Sequence, residues 1–244
     1  MLADDVRWAL VAALARSDYR VRELVQIVHR PYNLVSYHLR QLKARRIVVE
    51  RRSSHDARDV YYSLDLRALR DMIAGGARSL HPALAGDGPE SVDPDLFRRP
   101  RLRILFLCTH NSGRSQMAEG ITRHLGRGAV KVFSAGSSPR AVHPDAVAAL
   151  ARLGIDISAQ RSKSMDEFAG ERFDYVVTVC DNVRESCPIF PDTVQRIHWS
   201  FADPSTITDP DARRVAFDQV AEDLVERVGQ LLLLIREERS VPAS

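Results

Sequence analysis

Cys108, Arg114 and Ser115 stand at the spacing Cys-x5-Arg-Ser, directly after the apolar residues Leu102, Ile104, Leu105, Phe106 and Leu107. A short, nearly continuous apolar run suits a parallel strand covered on both faces, so Cys108 falls where that strand ends. A tight loop follows, and Ser115 opens a helix-compatible segment. Backbone N–H groups gathered at a helix N-terminus cradle an anion, and a guanidinium adds a two-pronged fork for a tetrahedral oxyanion. The same positive field favours a thiolate at Cys108 and so makes it a nucleophile. The spacing is far more specific than a lone cysteine, which is often simply buried.

The elements that must position this chemistry belong to a chain of 244 residues, long enough for one large or two ordinary domains. Apolar content of 45% and charged content of 27% fit a soluble globular protein, and no stretch nears the roughly 18 consecutive apolar residues of a membrane helix. Asp4 and Asp5 interrupt the start and no apolar core follows, so no signal peptide is expected and the protein is placed in the cytoplasm, without a membrane partner. All three cysteines, Cys108, Cys180 and Cys187, lie in the second half; in a reducing compartment they read as catalytic or redox-active. Charge is uneven. Residues 1–80 hold 15 Lys and Arg against 9 Asp and Glu, although the whole chain nets only +3. An anionic partner, nucleic acid first, is expected for that third.

Asp4 and Asp5 precede a helical pattern with Val6, Leu10, Ala13 and Leu14 on one face. Val21 to His29 reads as a second helix, broken by Pro31, and Leu34 to Arg45 as a third. That third helix turns Leu34, Val35, Leu39 and Leu42 to a core. Its other face offers Asn33, Ser36, Tyr37, Arg40 and Gln41, able to bond base edges or phosphates. Ile47–Arg52 and Val60–Leu64 read as strands of a hairpin wing, and Leu66–Leu80 as a helix with Leu66, Leu69, Ile73, Ala77 and Leu80 as its stripe.

At NLVSYHLRQLKARRIVVERR the chain resembles ArsR-type winged-helix repressors, over about residues 4–80. The resemblance implies an α+β winged helix-turn-helix domain at 1–80, binding double-stranded DNA as a homodimer. It implies a groove face of Ser36, Tyr37, Arg40 and Gln41, with Arg51, Arg52 and Arg58 on phosphate near the wing. One departure is the lack of any cysteine in this third, so the thiolate sensor of many relatives is absent. His29, His38 and His55 show no metal-ligand spacing. Residues 81–100, rich in Pro and Gly and without periodicity, read as a linker.

From 101 to 244 strands alternate with helices. Strands are expected at Leu102–Leu107, Val130–Ser134, Tyr175–Val179 and Val194–His198. Helices are expected at Ser115–Leu125, Pro144–Leu153, Ser164–Phe168 and Asp211–Arg236. The last should bury Val215, Val220, Leu224, Val228, Leu231, Leu232 and Ile235. This pattern predicts an α/β domain with a four-stranded parallel sheet and active residues at the strands' carboxyl ends, where Cys108, Cys180 and Trp199–Asp203 fall.

CTHNSGRSQMAEG, SAG, GIDIS, VVTVCDNVRESCP and HWSFADP, in this order, resemble the thioredoxin-coupled arsenate reductases built on the low-molecular-weight tyrosine phosphatase fold, over roughly 102–236. The resemblance implies that arsenate binds to the loop of Thr109, His110, Asn111, Ser112, Gly113, Arg114 and Ser115. It implies that Cys108 attacks arsenic, that Asp203 protonates the departing oxygen, that Asn111 fixes the loop and that Ser115 bonds the thiolate. Cys180 would then attack Cys108, releasing arsenite, and Cys187 would attack Cys180, passing the disulfide to a pair that thioredoxin reduces. Seven positions separate Cys180 from Cys187; in a helix that is roughly 10 Å, too far for a disulfide without unwinding. No cofactor and no metal are implied.

Two departures concern the loop. Gly113 stands where some members place a further cysteine, which this scheme does not use. Lys163 stands where potassium-binding members have an aspartate, while Asn111, Glu119 and Ser134 match the rest of that site. An ammonium there replaces the cation, so no potassium requirement is expected.

Three other readings share parts of the pattern. A low-molecular-weight protein tyrosine phosphatase is separated from the reductase by the Cys180/Cys187 pair and the HWSF context of Asp203. A reductase using a small thiol would form its adduct at Cys108 alone. A transcriptional regulator whose second domain senses an oxyanion or redox state without turnover would not need the full set of Cys108, Arg114 and Asp203.

Overall fold

The computed structural model describes residues 4–56, 58–80, 102–128, 130–186 and 195–240. The chain divides into two compact units, Met1–Pro94 and Asp95–Ser244, each with its own apolar core. The segment read as a linker, 81–100, lies outside the described residues, as do Cys187 and Val194.

The first unit begins with α1 (Asp5–Leu14), capped by the Asp4 carboxylate, which accepts from the N–H groups of Val6 and Arg7. β1 (Tyr19–Arg20) leads directly into α2 (Val21–Val28), where the Arg20 N–H donates to the Glu23 carboxylate at 2.7 Å. α3 (Tyr32–Ala44) starts two residues before its apolar period does, because the Pro31 carbonyl already accepts from Leu34 and Val35. β2 (Val48–Arg52) and β3 (Val60–Leu64) form the expected antiparallel hairpin, Val48 opposite Leu64 and Arg52 opposite Val60. β1 completes a three-stranded sheet in the order β1-β3-β2. It was invisible in the sequence, because two residues carry no period. α4 (Leu66–Leu80) buries Leu69 and packs Met72 on the core. Ile73, expected in that stripe, is instead 52% exposed. The side chains of Ala77 and Leu80 are outside the description.

The second unit is an α/β layer structure. β4 (Leu102–Cys108), β5 (Val130–Gly136), β6 (Tyr175–Thr178) and β7 (Gln195–His198) form a wholly parallel sheet in the order β5-β4-β6-β7, the four-stranded sheet expected. α5 (Arg114–Leu125) and α6 (Pro144–Arg152) follow the first two strands, α7 (Asp181–Ser186) follows β6, and α8 (Pro210–Ser240) ends the unit. Ile104 to Cys108 on β4 are all buried, which explains the unbroken apolar run. α5 and α6 both pack against α8. Val215, expected in the buried stripe of α8, is 63% exposed. The true stripe starts at Phe217 and continues through Val220, Ala221, Leu224, Val228, Leu231 and Ile235; Val215, two residues before Phe217, points nearly opposite it at 3.6 residues per turn.

β4 has β5 on one side and β6 on the other, so the chain crosses in one direction after β4 and in the reverse direction after β5. The carboxyl end of β4 is therefore the point where a parallel sheet opens a crevice, and Cys108 sits on it. Gly136 ends β5 beside Cys108; a Cβ there would lie 2.7 Å from both Thr109 O and Asn111 N. Both are backbone atoms and cannot yield cheaply. Gly136→Ala is expected to cost about 1–3 kcal/mol of stability, read as a lower urea midpoint, and to weaken phosphate binding. An unchanged midpoint would contradict this packing.

Candidate active site

The loop from Thr109 to Gly113 owes its shape to what its carbonyls meet outside it. Thr109 O accepts from Ser138 N–H, His110 O from Arg140 N–H and Ser112 O from His143 N–H, at 2.8–2.9 Å. Asn111 O accepts from the Gln116 side chain and the Ser162 hydroxyl. Within one peptide plane the carbonyl and the next N–H point oppositely. Carbonyls drawn outward therefore turn the N–H groups of His110, Asn111, Ser112 and Gly113 inward. One inward group is already used: Asn111 N–H donates to the Cys108 sulfur at 3.1 Å. The Ser115 hydroxyl lies 2.9 Å from the same sulfur.

Asn111 is the keystone residue. Its backbone sits at φ 46°, in the left-handed region, and its side chain is fully buried. Nδ2 donates to Ser115 Oγ and Ser134 Oγ, both at 2.8 Å; Oδ1 accepts from Gln116 Nε2 and from Lys163 N–H. Every polar site of the amide is satisfied, which offsets both its burial and its strained backbone. Behind it the Ser134 hydroxyl donates to Glu119, and the Lys163 ammonium lies 3.2 Å from the same carboxylate oxygen. Arg123 bonds the other oxygen. Lys163 thus places a built-in cation on a buried carboxylate. Among the described residues no group of three or more His, Cys, Asp and Glu is arranged to hold a metal ion.

Across the mouth, Arg114 donates to the Phe201 carbonyl at 2.9 Å and to the Asp203 carboxylate at 2.6 Å. Asp203 also accepts from the N–H and hydroxyl of Ser205. Burial pushes the Asp203 carboxyl up, but Arg114, the Ser205 bonds and His110 outweigh it and hold the carboxyl below its usual range. His110 is held below the usual imidazole value by burial and by Arg140. Cys108, His110, Ser112, Gly113, Arg114, Asp203, Pro204, Ser205 and Phe217 line a pocket at this mouth. It is small and lined mainly by polar groups, suited to a tetrahedral oxyanion.

Cys180 lies two residues beyond the end of β6, its sulfur 3.5 Å from Thr109 Oγ1. Burial pushes its thiol up, and charge on Cys108 pushes it further. The structure therefore brings together Cys108, Thr109–Ser115, Asp203 and Cys180. Gln116, Arg140, His143, Ser162 and Phe217 were missed in the sequence. Their contributions are outward hydrogen bonds and one pocket wall, which no local motif announces. On the first unit, Tyr37, Arg40 and Gln41 are exposed on α3, and Ser36 is half-buried. At the hairpin, Arg52 is exposed and half-buried Arg51 donates to the Arg52 carbonyl. Arg58 is almost fully exposed and pairs with Asp56, whose carboxyl that guanidinium brings down to about 2.

A cysteine and an arginine on an N–H cradle at the switch point of a parallel α/β sheet define a cysteine-based, oxyanion-binding fold of the phosphatase kind. The chain belongs to the low molecular weight phosphotyrosine protein phosphatase family, whose model matches residues 103–241. Curated relatives include the arsenate reductase of Halalkalibacterium halodurans, 40% identical over 126 residues, which are 51% of this chain and 91% of that protein. The arsenate reductase of Bacillus subtilis is 42% identical, over 49% of this chain and 86% of its own length. That of Brevibacillus brevis is 44% identical over 46% and 84%.

Two outcomes follow from this geometry. With Lys163 on Glu119, the melting temperature in potassium chloride should equal that in sodium chloride at the same ionic strength; a rise specific to potassium would contradict the built-in cation. Asp203 competes with an oxyanion for Arg114, so Asp203→Ala should tighten inorganic phosphate binding by about tenfold, roughly 1.4 kcal/mol, in calorimetry at pH 7. Unchanged or weaker binding would contradict that competition.

Proposed function

We propose that the chain reduces arsenate to arsenite through a thiol relay of Cys108, Cys180 and Cys187. The observation that carries this reading is the second thiol, Cys180, held against the loop of the first. A phosphatase releases its thiol ester with water and has no use for that sulfur. The naming of the curated relatives as arsenate reductases supports the same choice.

The steps follow from the residues. Arsenate enters the cradle, and Arg114 exchanges the Asp203 carboxylate for the oxyanion. Asp203, relieved of its cation and facing new negative charge, takes up a proton. The Cys108 thiolate bonds to arsenic, and the departing oxygen leaves as water with the Asp203 proton. The Cys180 thiolate then attacks the Cys108 sulfur. The S–As bond breaks with its electron pair going to arsenic, which leaves as arsenite, As(III), and a Cys108–Cys180 disulfide forms. Attack by Cys187 on Cys180 frees Cys108 and leaves Cys180–Cys187 for an external dithiol, thioredoxin in this proposal.

The first unit is proposed to be a winged helix-turn-helix domain that binds double-stranded DNA as a homodimer, making the chain a fused regulator and enzyme of the arsenic response. The exposed polar face of α3, the basic balance of residues 1–80 and the β2–β3 hairpin support this. Exposed Trp8 on α1 and Ile73 on α4 offer apolar surface for a second copy.

Arsenite release with thioredoxin, thioredoxin reductase and NADPH tests the enzyme. Cys180→Ser should lose release by at least about 10³-fold while still hydrolysing para-nitrophenyl phosphate at Cys108. Wild type that hydrolyses the phosphate but releases no arsenite would contradict the reductase. For the first unit, Arg40→Ala should weaken binding to the duplex upstream of the chain's own gene by about 1–3 kcal/mol in anisotropy titrations. Equal affinity of the two proteins would contradict a groove role for α3.

A further inference from the structure

His198, the last residue of β7, is 0% exposed, and both of its ring nitrogens are engaged. Nδ1 lies 2.8 Å from the Thr178 hydroxyl, and Nε2 lies 3.2 Å from the Asp181 carboxylate. Asp181 is also 0% exposed, and the same oxygen accepts from Ser200 Oγ at 2.8 Å. With the carboxylate as acceptor, Nε2 is the donor. Thr178 can give its proton to Nδ1 or take one from it.

What matters is where these partners stand. Thr178 is the last residue of β6, two before Cys180, and Asp181 is the first residue of α7, immediately after it. One buried imidazole therefore bridges the two sides of Cys180, anchored from a different strand. The backbone supports the same bracket: Val179 N–H donates to Leu107 O on β4, and Trp199 N–H to Thr178 O, both at 2.8 Å. Cys180 is thus tied on one side to the strand that ends in Cys108 and on the other to His198. Full burial of a carboxylate and an imidazole is costly unless every bond is made, so the pair holds one geometry or breaks. The Cys108 chemistry does not use this network: none of its members lines the oxyanion pocket.

We propose that His198, bonded to Thr178 and Asp181, is a positioning residue that clips Cys180 in place for its attack on Cys108. The inference rests on the reductase reading and deepens it. Nucleophilic displacement at sulfur needs an aligned approach, and a misplacement of about 1 Å costs up to about 100-fold. The clip is expected to govern the second-thiol step while leaving the first step alone.

The test uses Thr178→Val, Thr178→Ser and Asp181→Asn in the full chain. Thr178→Val sits at a half-buried position, so it tests the clip even if Asp181→Asn fails to fold. Thr178→Val should lower kcat for arsenite release by about 10- to 100-fold with KM for arsenate unchanged, and keep para-nitrophenyl phosphate hydrolysis within about twofold. Thr178→Ser, which keeps the hydroxyl, should restore kcat. A second arm needs no arsenate. Hydrogen peroxide oxidises the Cys108 thiolate to sulfenic acid with loss of hydroxide, and Cys180 displaces water from it to give the disulfide. Peptide mass mapping should show this disulfide forming more slowly in Thr178→Val by a similar factor. A parallel fall of both activities, an unchanged kcat, or no rescue by serine would overturn the clip. If wild type releases no arsenite, the reductase reading fails, and the peroxide arm still decides the clip by itself.

Discussion

Everything at this site depends on where the carbonyls of a five-residue loop go. An anion cradle needs N–H groups pointing inward, and the opposite ends of those peptide planes must find donors outside. Ser138, Arg140 and His143 supply them from the segment after β5, with Gln116 and Ser162 completing the set. Gly136 lets that segment approach closely enough to do so. The sheet order then places the loop at the one strand end where the crossovers part. Remove the outward bonds and the loop has no reason to hold its N–H groups together without an anion.

The charges around the loop are arranged in two opposite ways. At the back, Glu119, Ser134, Asn111 and Ser115 form a chain of hydrogen bonds ending on the Cys108 sulfur, with Lys163 fixed on the buried carboxylate. Nothing in that chain has to change during a reaction. At the mouth, Arg114 and Asp203 hold one another, and in the proposed mechanism each has another task once an oxyanion arrives. The resting ion pair favours the ionised Asp203 carboxylate, and in the proposed mechanism substrate releases it. A fixed support thus stands behind the sulfur, and in the proposed mechanism an exchangeable pair stands in front of it.

Much of this was legible in the residues, and the boundary of legibility has physical causes. The apolar run before Cys108 marked β4, since a strand covered on both faces leaves no room for polar side chains. The hairpin β2–β3 was readable from two β-rich runs around a polar turn. Val215 and Ile73 were misplaced because an apolar residue near a periodic stripe looks like a member of it until the helix phase is known. The outward partners of the loop were not legible at all: a backbone N–H donating to another backbone carbonyl leaves no mark on side-chain type. His198 was readable only as part of a motif, because its two partners flank a cysteine from 20 and 17 positions away.

In the proposed relay, attack by the Cys180 sulfur on Cys108 drives the S–As electron pair onto arsenic. Cys187→Ser removes the last thiol of the relay and should trap the intermediate. The direct measurement is to treat reduced Cys187→Ser with one equivalent of arsenate, without external reductant, and to map disulfides by mass spectrometry while quantifying arsenite. One arsenite should be released for each Cys108–Cys180 disulfide formed. Arsenate left unreduced, or arsenite released with Cys180 still a free thiol, would contradict it.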